Sequence, residues 1–369
     1  MKKFFLKRLL FIPLGIIAFI LTKYAQLHPQ WTENIYSLSI YPVLSSAVAF
    51  LPSLVRLSVI EWLAVAFLLL FLCYVIYYLH KIIKNNNKGM ILYNFLAGII
   101  SAASILYFCF TALCGLNYHR YQFSHYTEYE TAQYSTEELE QLCISLSHDL
   151  GRIRAQLGEY TDISRSKPGD FDSYATLSIQ AIKKLSKQYP ALNKPLYSTP
   201  KPVIMSKFMT QCGILGIFMP FTMESNINKD ILLLELPSTM THELAHQCGF
   251  MREDEANFIA YLACKQLEDP LMLYSGIFSA FYNSIHALNK IDPALSSEII
   301  ASLPKSVLSD WEQHKQFWAK QEGIISDISK EINNTYLKSN NQTDGIASYG
   351  KMVDLLLAEK RAEQLNNTR

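Results

Sequence analysis

The chain is poor in charge and in the residues that make linkers. Lys, Arg, Asp and Glu make up 18% of its 369 residues, below the roughly 25% of an average soluble domain. The net charge is +1 and no basic block stands out, so nucleic acid is not an expected partner. With 14 Gly and 14 Pro in the chain, a collagen-like or linker-like protein is excluded.

Cysteine is too scattered to predict a disulfide framework. The seven cysteines are an odd number without regular spacing, whereas disulfide-rich domains carry even, patterned sets. We expect Cys248 and Cys264 to act as small buried hydrophobic residues.

Apolar residues make up 50% of the chain, and they are concentrated in a predicted membrane domain, residues 1–118. Three spans are predicted there, at about 4–22, 60–80 and 90–116. The second and third are long enough to cross a bilayer, which takes about 20 residues. The first has a short uncharged core, and no small-residue cleavage site follows it, so we expect an uncleaved anchor rather than a signal peptide.

Lysine and arginine predict the orientation of these spans. The N-terminus carries four such charges, and the connector after the second span carries Lys81, Lys84 and Lys88. Both regions are expected in the cytoplasm, because cytoplasmic loops are enriched in Lys and Arg. Residues 119–369 would then lie outside the membrane. Residues 35–57 contain two prolines, and we interpret them as an interfacial or partly buried segment, or a simple loop, outside the membrane.

Residues 119–369 have the pattern of an α+β domain that is mostly helical. Ser135 and Glu138 predict a capping box at a helix start. Short apolar runs broken by Gly, Pro and Asn predict strands within residues 201–236. The predicted helices lie at about 135–158, 174–189, 253–267, 271–287, 305–338 and 346–364.

The residues with the clearest chemical meaning are His242, Glu243 and His246, an HExxH motif. Two histidines four residues apart share a helix face, so both imidazoles can bind one ion. Zinc accepts such nitrogens with a carboxylate and keeps one position for water. Glu243 is placed to act as the general base towards that water. We expect Ser238 to cap this helix and Gly249 to end it.

Acidic residues follow the motif at Glu253, Asp254 and Glu255. HExxH followed by Glu253, Ala256 and Asn257 resembles the gluzincin pattern, HExxH and then ExxAN. The longer string THELAHQCGFMREDEANFIAYLAC, with MPFTMESNIN before it, resembles an uncharacterised family of bacterial multi-span membrane proteins regarded as zinc metallopeptidases. The resemblance implies a zincin-like domain with Glu253 as the third zinc ligand and Asn257 as its support.

The spacing departs from the gluzincin pattern at one point. Glu253 follows His246 more closely than the third ligand usually does, so a tight turn at Gly249 must bring the next helix back at once. Glu255 therefore stays open as an alternative ligand.

The sequence thus predicts a zinc-dependent metallopeptidase anchored in the bacterial cytoplasmic membrane, with its catalytic domain outside. Its expected partners are the lipid bilayer and a peptide or protein substrate, for example of the cell envelope. The alternative is a non-catalytic zinc-binding sensor or scaffold. Residues 219–228 are a candidate substrate edge strand, in which Glu224 and Asn226 would bind a peptide or the site helix. Spacing does not choose among the oxyanion-donor candidates, which are Arg252, Tyr261, Tyr274, His286 and His314.

Overall fold

The computed structural model is mostly helical, with one small sheet. It describes residues 9–127, 129, 131–158, 162–165, 169–340, 342, 344–345, 347 and 351–367.

The N-terminal part contains four apolar helices. Helix α1 (Ile12–Leu27) has 16 residues, and α2 (Pro29–Ser53) is interrupted by π-helical turns at Thr32–Ile40. Helices α3 (Val59–Lys84) and α4 (Lys88–Leu113) have 26 residues each. By length and composition, α2, α3 and α4 can cross a membrane, whereas α1 is shorter.

Helices α3 and α4 coincide with the second and third predicted spans. Helix α1 overlaps the first predicted span but has different bounds. Residues 4–8 of the predicted first span lie outside the described residues, and α1 continues past its predicted end to Leu27. Residues 35–53 belong to α2, which is a candidate span by length and composition and is also partly buried against the folded domain, as expected for residues 35–57. Pro42 stands in the first turn after the π-helical segment, and Pro52 lies inside the last turn of α2.

The remaining helices follow the predicted pattern with several differences. A short helix, Ser206–Gln211, lies within residues 201–236, where only strands were predicted. The predicted helix 305–338 is two helices, because Gly323 interrupts it and the Ser326 hydroxyl accepts the Gly323 N–H. The start of the predicted helix at 346 lies partly outside the described residues. Leu232 to Leu234 are buried in a turn rather than a strand. The helices are α5 (Thr136–Leu157), α6 (Asp170–Leu185), α7 (Ser206–Gln211), α8 (Leu236–Gln247), α9 (Glu253–Cys264), α10 (Pro270–Ile291), α11 (Pro293–Ala301), α12 (Lys305–Ala319), α13 (Ile324–Ser339) and α14 (Met352–Asn367).

The sheet has three strands in the order β1 (Lys201–Pro202), β3 (Glu224–Ile227), β2 (Gly216–Met219). Strand β1 pairs with β3 in parallel, and β2 pairs with β3 in antiparallel register, Gly216 opposite Ile227 and Met219 opposite Glu224. Strand β3 is therefore internal. Strand β2 is an open edge in the part of the chain that the structure describes.

The main core lies between α5, α8, α9 and α10, and it buries large apolar side chains such as Phe258, Tyr274 and Phe281. The capping box predicted at Ser135 and Glu138 is present at the start of α5. All seven cysteines are free thiols, and Cys248 and Cys264 are buried as expected.

Helix α2 packs directly on the folded domain through polar contacts. The Arg120 guanidinium donates to both Glu33 carboxylate oxygens, at 3.1 and 2.6 Å, and the Tyr121 N–H and the Tyr126 hydroxyl also donate to Glu33. Both side chains of the Glu33–Arg120 pair are 2% exposed. Because each charge has lost its water, each depends on the other.

Replacing Glu33 should therefore destabilise the whole protein. In Glu33→Ala the Arg120 charge stays buried without its partner, which costs about 3–5 kcal/mol. Thermal unfolding of the full chain in detergent should show a large fall in midpoint. Asp172→Ala is the control, because it removes an exposed pair with Arg56 at 3.8 Å and should leave the midpoint unchanged. Equal midpoints for the two variants would contradict this reading of the buried pair.

Candidate metal centre

Helices α8 and α9 are joined by a tight turn that places the motif opposite the acidic residues. Helix α8 begins at Leu236, two residues before Ser238, so the predicted Ser238 cap was wrong; its hydroxyl donates to the Glu235 carbonyl instead. Gly249 has a φ of +88°, the left-handed conformation that commonly ends a helix and that glycine adopts without strain. Helix α9 then starts at Glu253 and runs back against α8.

Three donor atoms meet between these helices. The Nε2 atom of His242 lies 3.1 Å from Glu253 Oε2, and that of His246 lies 3.6 Å from the same oxygen. The three ligand atoms all lie within 4.8 Å of one another. Atoms bound to one tetrahedral zinc ion at about 2.0–2.1 Å stand about 3.3 Å apart. The two distances from the histidines to Glu253 are close to this value, so the three residues could hold a metal ion.

The second nitrogen of each imidazole is held by an acceptor. The His242 Nδ1 lies 2.7 Å from the Asn257 side-chain oxygen, and the His246 Nδ1 lies 2.7 Å from the Phe250 carbonyl oxygen. Both Nδ1 atoms therefore donate, and both Nε2 lone pairs face the Glu253 carboxylate. Three acceptors that face one another need a cation or a shared proton between them, so the donor set fits a metal ion.

The pKa shifts in the cluster reflect the same need for positive charge. Burial disfavours a charged His246, but the Glu253 carboxylate outweighs burial and raises the pKa of His246 to about 9. Burial would raise the pKa of Glu253, but the two histidines hold it well below its usual range. Without a metal, a proton therefore occupies the place of a cation.

Glu243 lies on the same helix, beneath strand β2. It is buried, and burial raises its pKa. The Phe218 N–H donates to its carboxylate, while its Oε2 has no hydrogen-bond partner among the described residues. A Cβ on Gly216 would stand 2.7 Å from Glu243 Oε1, so only glycine leaves room for the carboxylate here.

The alternative ligand lies elsewhere. Glu255 Oε1 accepts from the Phe123 N–H at 2.9 Å and from Arg252 at 3.4 Å. It does not belong to the cluster of His242, His246 and Glu253.

Each oxyanion-donor candidate from the sequence is engaged away from the cluster. Arg252 binds Glu255, Tyr261 accepts from Lys265, and Tyr274 donates to Asp310. His314 binds Glu235, and His286 binds the Tyr282 carbonyl.

Sequence reasoning missed a pair of tyrosines near Glu253. The hydroxyls of Tyr118 and Tyr336 lie 3.1 Å apart. Burial raises the pKa of both, and the negative charge of Glu253 raises both further. No motif pointed to the pair, because the two residues are 218 positions apart in the chain.

The predicted edge strand at 219–228 was also wrong in part. Its residues Glu224 and Asn226 lie on the internal strand β3. Glu224 accepts from Lys201 at 2.5 Å and from the N–H groups of Val59 and Ile60, so it holds the start of α3 rather than a peptide. The open edge beside Glu243 is β2.

A family model described as a protein of unknown function, DUF3810, matches residues 36–357. The chain belongs to the DUF3810 family. The match begins within α2 and ends within α14, so it includes α3, α4 and the candidate metal site of this DUF3810 protein. No curated protein and no solved structure matches the chain.

Glu253 and Glu255 of the DUF3810 chain should differ in their effect on zinc binding. Loss of a residue that only supports a ligand costs about 10–100-fold in metal affinity, so Glu253→Gln should cost more than about 100-fold. Glu255→Gln keeps an acceptor for the Phe123 N–H and should bind zinc like the wild type. Competition with a chelator measures both affinities, and equal weakening in the two variants would refute Glu253 as the ligand.

Gly216→Ala should distinguish the role of Glu243 from that of the three zinc ligands. The new methyl group would displace the Glu243 carboxylate without touching the three ligand atoms. We expect the zinc affinity to stay within about threefold of wild type, a smaller change than the loss of a residue that supports a ligand would cause. Any hydrolytic activity should fall strongly. A fully active Gly216→Ala protein would show that Glu243 does not need its present position.

Proposed function

We propose that the protein is a membrane-anchored, zinc-dependent metallopeptidase of the bacterial cytoplasmic membrane, with its catalytic domain outside. The observation that carries the proposal is the arrangement of Glu243 beside three donor atoms of the right number and spacing for a catalytic zinc site. Three protein ligands are typical of catalytic zinc, because a fourth position stays open for water.

His242, His246 and Glu253 would hold the ion. Zinc bound by these residues would lower the pKa of a water molecule and polarise a carbonyl group. Glu243 would accept a proton from the attacking water at its free Oε2 and return it to the leaving amide nitrogen. Its raised pKa suits the first step, because a carboxylate with a higher pKa is a stronger base towards the water.

Strand β2 would hold the peptide. Its open edge can pair with an extended chain, which gives affinity through backbone hydrogen bonds and leaves side chains to give specificity. The Phe218 ring stands 6.3 Å from the His246 ring, so a peptide on this edge would pass close to the donor atoms.

The lysines at one end of the α3–α4 hairpin and the folded domain at the other end support the membrane orientation. Lys81, Lys84 and Lys88 lie at the connected ends, which are expected to be cytoplasmic. The start of α3 is bound by Glu224, and the Cys114 thiol beside the end of α4 contacts Met251. The folded domain is therefore attached to the ends opposite the lysines.

Glu243→Gln should abolish cleavage and leave zinc binding intact. Without a general base, turnover should fall by about 10²–10⁴-fold, while the three ligands are unchanged. The full chain in lipid nanodiscs would be incubated with a peptide library, and zinc content would be measured in parallel.

Three outcomes of this experiment are informative. About one zinc per chain in both proteins with cleavage only by wild type supports the peptidase. Zinc in both with cleavage by neither would favour the sensor or scaffold. Absence of zinc from the wild type would overturn the metal centre.

A further inference from the structure

Helix α13 is amphipathic, but its apolar face is exposed and its polar face turns towards the protein. Ile324, Ile328 and Ile332 are 80, 56 and 66% exposed, and their spacing of four places them on one face. The opposite face turns towards the protein and carries Ser326, which is buried, and Ser329, which is half-buried. Contiguous exposed apolar surface of this kind marks an interaction site.

A second exposed apolar group adjoins this helix. Ile204, Met205 and Phe208, around the start of α7, are 58, 58 and 51% exposed. The two helices are neighbours, because the Cys212 thiol just after α7 hydrogen-bonds to Ser329 on the protein-facing side of α13. Exposed Lys207 lies among these apolar residues.

The segments that carry both surfaces contact the ends of the membrane helices α3 and α4. The Glu61 carboxylate, in the first turn of α3, accepts from the Ile204 and Met205 N–H groups at 2.9 and 3.0 Å. At the other side, the Tyr336 ring of α13 packs edge-on against Phe110 in the last turn of α4, with 6.5 Å between ring centres. The apolar surfaces thus begin where α3 and α4 end.

We propose that α7 and α13 lie in the outer interface of the lipid bilayer, with Phe208 and the isoleucine stripe of α13 among the acyl chains. An interfacial helix buries its apolar face at the boundary between headgroups and acyl chains, and Lys207 suits anionic headgroups. The inference rests on the proposed membrane location of α3 and α4. It also specifies the substrate class. Strand β2 begins five residues after α7, so it would lie near the membrane surface. The peptide bound at β2 would then come from a polypeptide held at that surface.

The test is photo-crosslinking from single positions of the full chain. The photoreactive residue p-benzoyl-phenylalanine would replace Phe208 or Ile328 in vesicles of phosphatidylethanolamine and phosphatidylglycerol, and adducts would be identified by mass spectrometry. Ile291, 52% exposed at the end of α10, is the matched control away from the membrane helices. Leu70, 70% exposed in the middle of α3, reports whether α3 itself is in lipid.

Lipid adducts at Phe208, Ile328 and Leu70, and none at Ile291, are the expected result. Adducts at Leu70 without any at Phe208 and Ile328 would overturn the proposal while leaving the membrane anchor in place. Adducts that join two chains at Phe208 or Ile328 would also overturn it, because a second copy would then cover the surface. No adducts at Leu70 would refute the membrane location and this inference with it.

Discussion

The tight turn at Gly249 is the constraint on which the candidate site depends. Only six residues separate His246 from Glu253, so the chain must reverse at once for the carboxylate to meet the imidazoles. The left-handed conformation of Gly249 provides this reversal. A Cβ there would stand 3.1–3.2 Å from Tyr41, Arg120 and Asn117. The turn is therefore closed in by the chain around it, and its shape cannot change independently.

That enclosure links α2 to the candidate metal site. The Tyr41 hydroxyl of α2 lies 3.5 and 3.2 Å from the His246 and Gln247 carbonyls, and Arg120 donates to the Cys248 carbonyl at 3.3 Å. Arg120 is itself held by Glu33 of α2. The end of the motif helix is thus built from both halves of the chain. A buried ion pair is costly to form, and this one joins α2 to the residue that holds the turn.

Local patterns were readable in the sequence, and distant contacts were not. The two histidines could be grouped because helix periodicity places them on one face, and Glu253 was added by the resemblance to the gluzincin pattern, with Glu255 left open. Helices α3 and α4 could be placed because composition and length alone define them. The role of Glu224 could not be found, since its partner Val59 is 165 positions away. Helix α2 was not predicted as a helix because its two prolines indicated a break, whereas the chain stays helical through both.

Helix α13 is a second case in which the sequence alone was not sufficient. Its sequence reveals an apolar stripe, but a stripe does not say which face meets the protein. The burial of Ser326 and the exposure of Ile324 settle that question. Tyr336, one turn beyond Ile332, contacts α4 and pairs with Tyr118 beside Glu253. Helix α13 therefore connects the apolar surface to the tyrosine pair beside the candidate metal site.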